Sequence, residues 1–88
     1  MKYRLKPTKV FQKNLKRLTR DEQRRAARKL NILIENPFHP SLRAKKVKSL
    51  EGIFECTISD DIRVLWKYEG GEVILLLDIG RHKILDKM

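Results

Sequence analysis

The 88-residue sequence predicts an α+β domain of order β-α-α-β-β-β, a basic helical hairpin packed on a small, mainly antiparallel sheet. Three observations predict it. Apolar residues recur with a period near 3.6 through residues 8–35. They recur with a period of 2 from residue 46 onward. Between the two regimes stands Asn36-Pro37, a junction that stops a helix because the residue before proline avoids the helical region. The length leaves room for one core only, so residues 1–88 are read as a single domain.

The elements follow in chain order. Lys2-Tyr3-Arg4-Leu5-Lys6 alternates charged and apolar residues, a half-buried strand with Tyr3 and Leu5 inward, and Pro7 ends it. Thr8 has the side chain of an N-cap. Phe11, Leu15 and Leu18 then form one stripe on a helix of about eleven residues. Thr19 opens a second helix: Thr19-x-x-Glu22 is a capping box, and Asp21 and Glu22 place negative charge at the positive end of the helix dipole. Its buried stripe is Ala26, Leu30, Leu33 and Ile34, and Arg20, Arg24, Arg25, Arg28 and Lys29 crowd the other faces. Residues 37–44 are an irregular connection with two prolines. Lys46 to Leu50 reads as a short strand, with Glu51-Gly52 as a turn. Phe54, Cys56 and Ile58 alternate with Glu55, Thr57 and Ser59. After a tight turn at Asp60-Asp61, Ile62, Val64, Trp66 and Tyr68 alternate with Arg63, Leu65 and Lys67. Gly70-Gly71 turns the chain again, and residues 72–79 are apolar on both faces, as a central strand is. These strands form an antiparallel meander, and the first strand joins it.

Charge is the strongest functional signal. The chain carries 21 Lys and Arg against 11 Asp and Glu, a net +10. Residues 1–48 hold sixteen bases and three acids, while residues 49–88 hold five bases and eight acids. Such segregation implies a polyanionic or acidic partner: RNA, DNA or an acidic protein. The longest apolar run, Val73 to Leu77, is far short of the roughly 18–20 residues of a membrane span. No apolar leader follows Met1, so the cytoplasm is the expected location. The single cysteine, Cys56, cannot form an internal disulfide, and no Cys/His cluster suggests a metal or other cofactor.

Phosphate-binding and acyl-transfer motifs are absent. Cys56, Phe54 and Trp66 read as core, His39 as a loop residue, and Asp60-Asp61 as turn formers. What remains is cationic. Arg63 points away from the face of Ile62, Val64 and Trp66, where it presents a fork to a phosphate or pairs with Glu55 or Glu72. Gly80-Arg81-His82-Lys83 follows the central strand directly, and His82 is either a proton donor and acceptor near neutral pH or a surface histidine.

Three ordered segments resemble the RelE/ParE superfamily of type II toxin–antitoxin toxins, most closely its RelE and YafQ-like branches. They run from Val47 to Glu55, from Asp60 to Lys67 and from Ile74 to His82. The resemblance covers nearly the whole chain and implies a metal-free, ribosome-dependent endoribonuclease that cuts mRNA in the ribosomal A site. It implies roles for Arg63 near the scissile phosphate, for His82 as general acid or base and for Arg81 as a stabiliser of charge. Lys46 and Lys48 stand where the family keeps basic residues, and Arg24, Arg25 and Arg28 lie on the face expected to dock on ribosomal RNA. The implied protein partner is an antitoxin with an acidic, helix-forming segment. Two departures stand out. Glu55 and Thr57 replace lysines found in RelE, and Ile84 to Met88 contains no aromatic. The ParE branch, which inhibits DNA gyrase, and an inactive binding module are the alternatives.

Overall fold

Thr8 decides where the first helix starts. Its hydroxyl oxygen accepts the Phe11 N–H at 3.2 Å and donates to the Leu77 carbonyl at 3.1 Å, so one side chain both caps a helix and pins it to a strand. The computed structural model describes residues 2–81. Their order is β1 (Arg4–Pro7), α1 (Lys9–Lys16), α2 (Arg20–Glu35), a short 3₁₀ turn (Pro40–Leu42), β2 (Lys45–Lys46), β3 (Phe54–Thr57), β4 (Ile62–Gly70) and β5 (Val73–Arg81). The strands form one sheet of order β1-β5-β4-β3-β2. β1 runs parallel to β5, and all other pairs are antiparallel. None of the described helices is long and apolar enough to cross a membrane.

The α+β architecture matches the expectation, with three local differences. α1 has eight residues rather than about eleven. Its end tightens, because Arg17 and Leu18 donate to the carbonyls of Asn14 and Leu15, three residues back. The strand read at Lys46 to Leu50 shrinks to Lys45–Lys46. The following residues close a loop in which Val47 N–H donates to Ile53 O at 2.9 Å, and Gly52 supplies the φ of +77° that the loop requires. With β2 counted, the order is β-α-α-β-β-β-β, one strand more than the β-α-α-β-β-β predicted. Third, Tyr68, which alternates with the core residues of β4, is 38% exposed and packs at the core margin, its ring centroid 5.2 Å from that of Trp66 and 5.7 Å from that of Phe54. The pairing with β5 slips twice along β4, between Leu65 and Trp66 and between Tyr68 and Gly70.

The second helix starts as its capping box dictates: Glu22 N–H donates to Thr19 Oγ1 at 3.1 Å and Thr19 N–H to Glu22 Oε1 at 2.9 Å. Phe11, Ala26 and Leu33 from the helices join Val64, Trp66, Ile74, Leu76 and Ile79 from the sheet in one buried cluster. Leu15, Leu18 and Leu30 pack at its margin. Trp66 is fully buried and stacks on Phe54 with centroids 4.7 Å apart. Leu65, read as facing the opposite side, is buried as well, so that face is partly covered. Cys56 is core, as read, and burial pushes its thiol up to about 12.

Truncating Trp66 to Ala is expected to cost about 3–5 kcal/mol, measured by urea unfolding followed by circular dichroism. Its indole N–H is buried without an acceptor among the described residues. Trp66→Phe removes that orphan donor and should therefore lose markedly less stability than Trp66→Ala. Equal losses would show that the indole ring beyond the phenyl carries the packing.

Candidate functional site

β3 ends, β4 begins and β5 ends at the same margin of the sheet. Thr57, Arg63 and Gly80 form one cross-strand row, and Ile62 and Arg81 form the next. Side chains alternate between faces along a strand. Arg81 therefore shares the helix-covered face with buried Ile62, and Arg63 takes the opposite face. The two predicted arginines are neighbours in the sheet but do not point to one side.

Their surroundings differ as well. Arg81 meets the start of α2, where its Nη1 and Nη2 donate to Glu22 Oε2 and Oε1 at 2.6 and 3.3 Å. Asp61 Oδ2 lies 3.4 Å from the same Nη1. This fork is bidentate and charge-assisted. The Arg81 hydrogen bonds, followed by that from the Thr19 backbone, hold the Glu22 carboxyl below the usual carboxylate range. The Glu22 hydrogen bond in turn raises the Arg81 guanidinium. Glu22 thus caps α2 and ties it to the end of β5, where the sequence reading assigned it the cap alone.

Arg63 is held by backbone rather than by acids. Its Nη1 donates to the carbonyls of Ser59, Asp60 and Ile62 at 2.6, 3.2 and 3.2 Å. The pairing with Glu55 or Glu72 weighed from sequence does not form; Glu55 pairs instead with Lys45 at 3.4 Å. Among the described residues, Nε and Nη2 of Arg63 have no hydrogen-bond partner, so part of the fork remains available at the rim of the sheet.

The other predicted residues lie elsewhere. Lys46 sits opposite Phe54, three residues along β3 from Thr57 and so roughly 10 Å from the Arg63 row. Lys48 is exposed in the following turn. Arg24, Arg25 and Arg28 line a shallow depression of about 620 Å³ on the outer face of α2, with Asp21 3.1 Å from Arg24. His82 lies outside the described residues, as do Lys83 and the stretch from Ile84 to Met88.

Sequence reasoning missed Asp78. Its Oδ1 accepts Asn14 Nδ2 at 2.7 Å and the Ile79 N–H at 2.8 Å, fixing α1 against β5 beside a groove of about 290 Å³ that reaches Gly80 and Arg81. An isolated acid in an apolar strand was the available signal. Among the described residues, no three His, Cys, Asp or Glu side chains cluster as metal ligands would.

Two helices on a five-stranded, mostly antiparallel sheet define the RelE-like α+β fold. Solved structures with this fold include a chain of the archaeal RelE–RelB complex from Pyrococcus horikoshii OT3, 23% identical with a TM-score of 0.75 over 92% of this chain and 96% of that one. The chain is also similar to one in the E. coli DinJ–YafQ toxin–antitoxin complex, with 13% identity and a TM-score of 0.77 over 97% and 98%. A third is the YoeB/ParE toxin from Agrobacterium tumefaciens, with 13% identity and a TM-score of 0.76 over 89% and 96%. No family model matches the chain, and no curated protein matches it in sequence.

The Glu22–Arg81 pair gives stability a pH signature. Glu22 titrates below its ordinary value of 4.5 when folded, so its contribution is complete above that value and lost as pH falls through the folded one. Wild type is expected to lose stability more steeply than Glu22→Gln between about pH 5 and pH 3, measured by urea midpoints. The Gln variant keeps a capping-box side chain, so parallel curves would mean that the ion pair adds nothing to folding.

Proposed function

We propose that the chain belongs to the RelE/ParE superfamily as the toxin of a type II toxin–antitoxin pair, and that it cleaves mRNA on the ribosome. The observation that carries this reading is Arg63, a guanidinium oriented by three carbonyls at the sheet rim with donors left for a ligand. The RelE-like fold, and the occurrence of that fold in complexes with RelB and DinJ, support it.

The chemistry needs no more than positioned charge and a proton carrier. The ribose 2′-oxygen bonds to the adjacent phosphorus as a base takes its proton. The bond from phosphorus to the 5′-oxygen breaks, and an acid protonates that leaving oxygen. The products are a 2′,3′-cyclic phosphate and a 5′-hydroxyl. Arg63 stabilises the added negative charge on the phosphoryl oxygens. Arg81, which points to the other face, joins it only by leaving the Glu22 carboxylate and reaching round the end of β5 to a phosphate oxygen. His82, next in the chain, is assigned the proton transfers. The exposed cations of α1 and α2 dock the protein on ribosomal RNA, with Arg24, Arg25 and Arg28 among them. Lys46 and Lys48 add charge along the approach to the site. The antitoxin partner is a segment of net negative charge that folds on this basic surface.

Induced expression is expected to arrest growth, and primer extension should reveal new 5′ ends within translated codons. Arg63→Ala should lower the cleavage rate roughly 10²–10³-fold. His82→Ala should lower it on the order of 10²-fold. Both variants must keep the wild-type circular dichroism spectrum. DNA breaks with intact mRNA would replace this reading with gyrase inhibition. Separately, exchanging Arg24, Arg25 and Arg28 for Glu should reduce co-sedimentation with ribosomes. Wild-type binding should weaken with salt by a log–log slope of about 0.7–0.9 per phosphate contact. Salt-independent binding would show the basic face to be merely solvated.

A further inference from the structure

A second cationic feature lies between the turn after α2 and the loop joining β3 to β4. The 3₁₀ turn Pro40–Leu42 is closed by His39, whose Nδ1 accepts the Ser41 N–H at 3.1 Å. Arg43 follows with φ +48°, the one non-glycine residue of the described chain in the left-handed region. That backbone closes the turn as its C-cap, with the Arg43 N–H donating to the Pro40 carbonyl at 3.2 Å, and it fixes where the Arg43 side chain leaves the chain. From α2, Lys29 Nζ donates to the Ser41 carbonyl at 2.8 Å. Lys29 and residues Pro40, Ser41 and Arg43 line a cleft of about 430 Å³ together with the segment Thr57, Ile58, Ser59 and Asp60.

We propose that this cleft is a phosphate subsite for the RNA backbone, holding a phosphodiester beside the one that Arg63 addresses; the proposal rests on the endoribonuclease reading and extends its site. Three features carry it. Two cations face one carboxylate, so the cleft is net positive even before Arg63 is counted. The hydroxyls of Thr57 and Ser59 can donate to phosphate oxygens, whereas that of Ser41 is bonded to His39 Nδ1 at 2.9 Å. No aromatic ring is among the lining residues, so Arg43 is the one planar group a base could stack on, and the cleft suits the backbone more than a base.

The cleft and Arg63 are also rigidly related. Thr57 and Arg63 are directly opposed across β3 and β4, roughly 5 Å apart. The Arg63 guanidinium holds the carbonyls of Ser59 and Asp60, two residues of the cleft wall. A strand seated in the cleft therefore runs toward Arg63. Asp60 limits the charge the cleft accepts, which favours a singly charged diester over a doubly charged terminal phosphate.

The test uses the full chain and a short 2′-O-methyl oligouridine, which lacks the attacking hydroxyl and so reports binding alone. Nitrogen-15 spectra should show shifts at the amides of Arg43, Thr57 and Ser59. Arg43→Asn accepts the left-handed backbone and removes only the guanidinium. It should weaken binding about 10-fold, as loss of a charge-assisted hydrogen bond does. It should also lower the salt slope by about 0.7. Lys29→Gln should weaken binding in the same direction, and oligoadenosine should bind as oligouridine does. Shifts confined to other residues, unchanged affinity in Arg43→Asn, or no binding by wild type would each overturn the subsite. The parent reading is judged apart. Oligonucleotide binding in the cleft by a protein that leaves translated mRNA intact supports the subsite and removes the endoribonuclease. Cleavage and binding both unaffected by Arg43→Asn keep the endoribonuclease and remove the subsite.

Discussion

Keeping 21 lysines and arginines in water while an 88-residue chain forms a core is the constraint on which the rest of this structure depends. At net +10 the compact state carries a standing self-repulsion. The described chain answers it with a core that contains no buried polar or charged residue. Each helix therefore offers one apolar stripe, and its cations take the remaining circumference. β5, the interior strand between β1 and β4, carries no cation until Arg81 at its very end. The acids sit mainly in the second half, on the strands and their turns. The charge segregation is thus the outer surface of a burial pattern, and it leaves the helical side available to a polyanion.

Both helices are then fastened to β5 by polar groups at its edges. Thr8 and Asn14 of the first helical segment reach the Leu77 carbonyl and Asp78, and Glu22 of the second reaches Arg81. Hydrophobic burial is non-directional and tolerates sliding of a helix over a sheet. Hydrogen bonds and ion pairs of defined geometry do not. The Glu22–Arg81 pair ties the rim where β3, β4 and β5 meet to the start of α2, which makes it a suitable place for groups that must be pre-organised.

Local periodicity made most of the fold legible. Thr8, the Thr19–Glu22 box and the alternation from Phe54 to Ile58 each act over a few residues, and each appears where it was read. Non-local pairings were not legible in the same way. The parallel register of β1 on β5 joins Arg4 to Val73, and the Glu22–Arg81 pair spans 59 positions. The shortening of β2 turned on one glycine dihedral, which competes with strand alternation that the sequence does show. At the candidate site, alternation correctly put Arg63 on the face away from Ile62. Its partners were invisible because they are backbone carbonyls, which every residue supplies alike. Lys29 and Arg43 were hidden among many cations; only the fold brings them into one cleft with Thr57 and Ser59.

The two rim arginines show how a protein can hold a cation without using up its charge. A carbonyl oxygen carries a partial charge, so the contacts from Ser59, Asp60 and Ile62 orient the Arg63 fork and leave it a full positive charge. The carboxylate of Glu22 fixes Arg81 just as firmly but cancels that charge. In the proposed reaction, an incoming phosphate would meet Arg63 with no carboxylate among the described residues to displace. At Arg81 it must replace Glu22 and leave two carboxylates, Glu22 and Asp61, close to its own negative oxygens. Placing Arg81 in the reaction is therefore the more demanding step, and it requires a polyanion already anchored by the carbonyl-held Arg63 and the neighbouring cleft. In the proposed reaction, substrate binding at Arg63 precedes and drives the exchange at Arg81, which makes the ion pair at the end of β5 the point where bound RNA and a catalytically complete site become coupled.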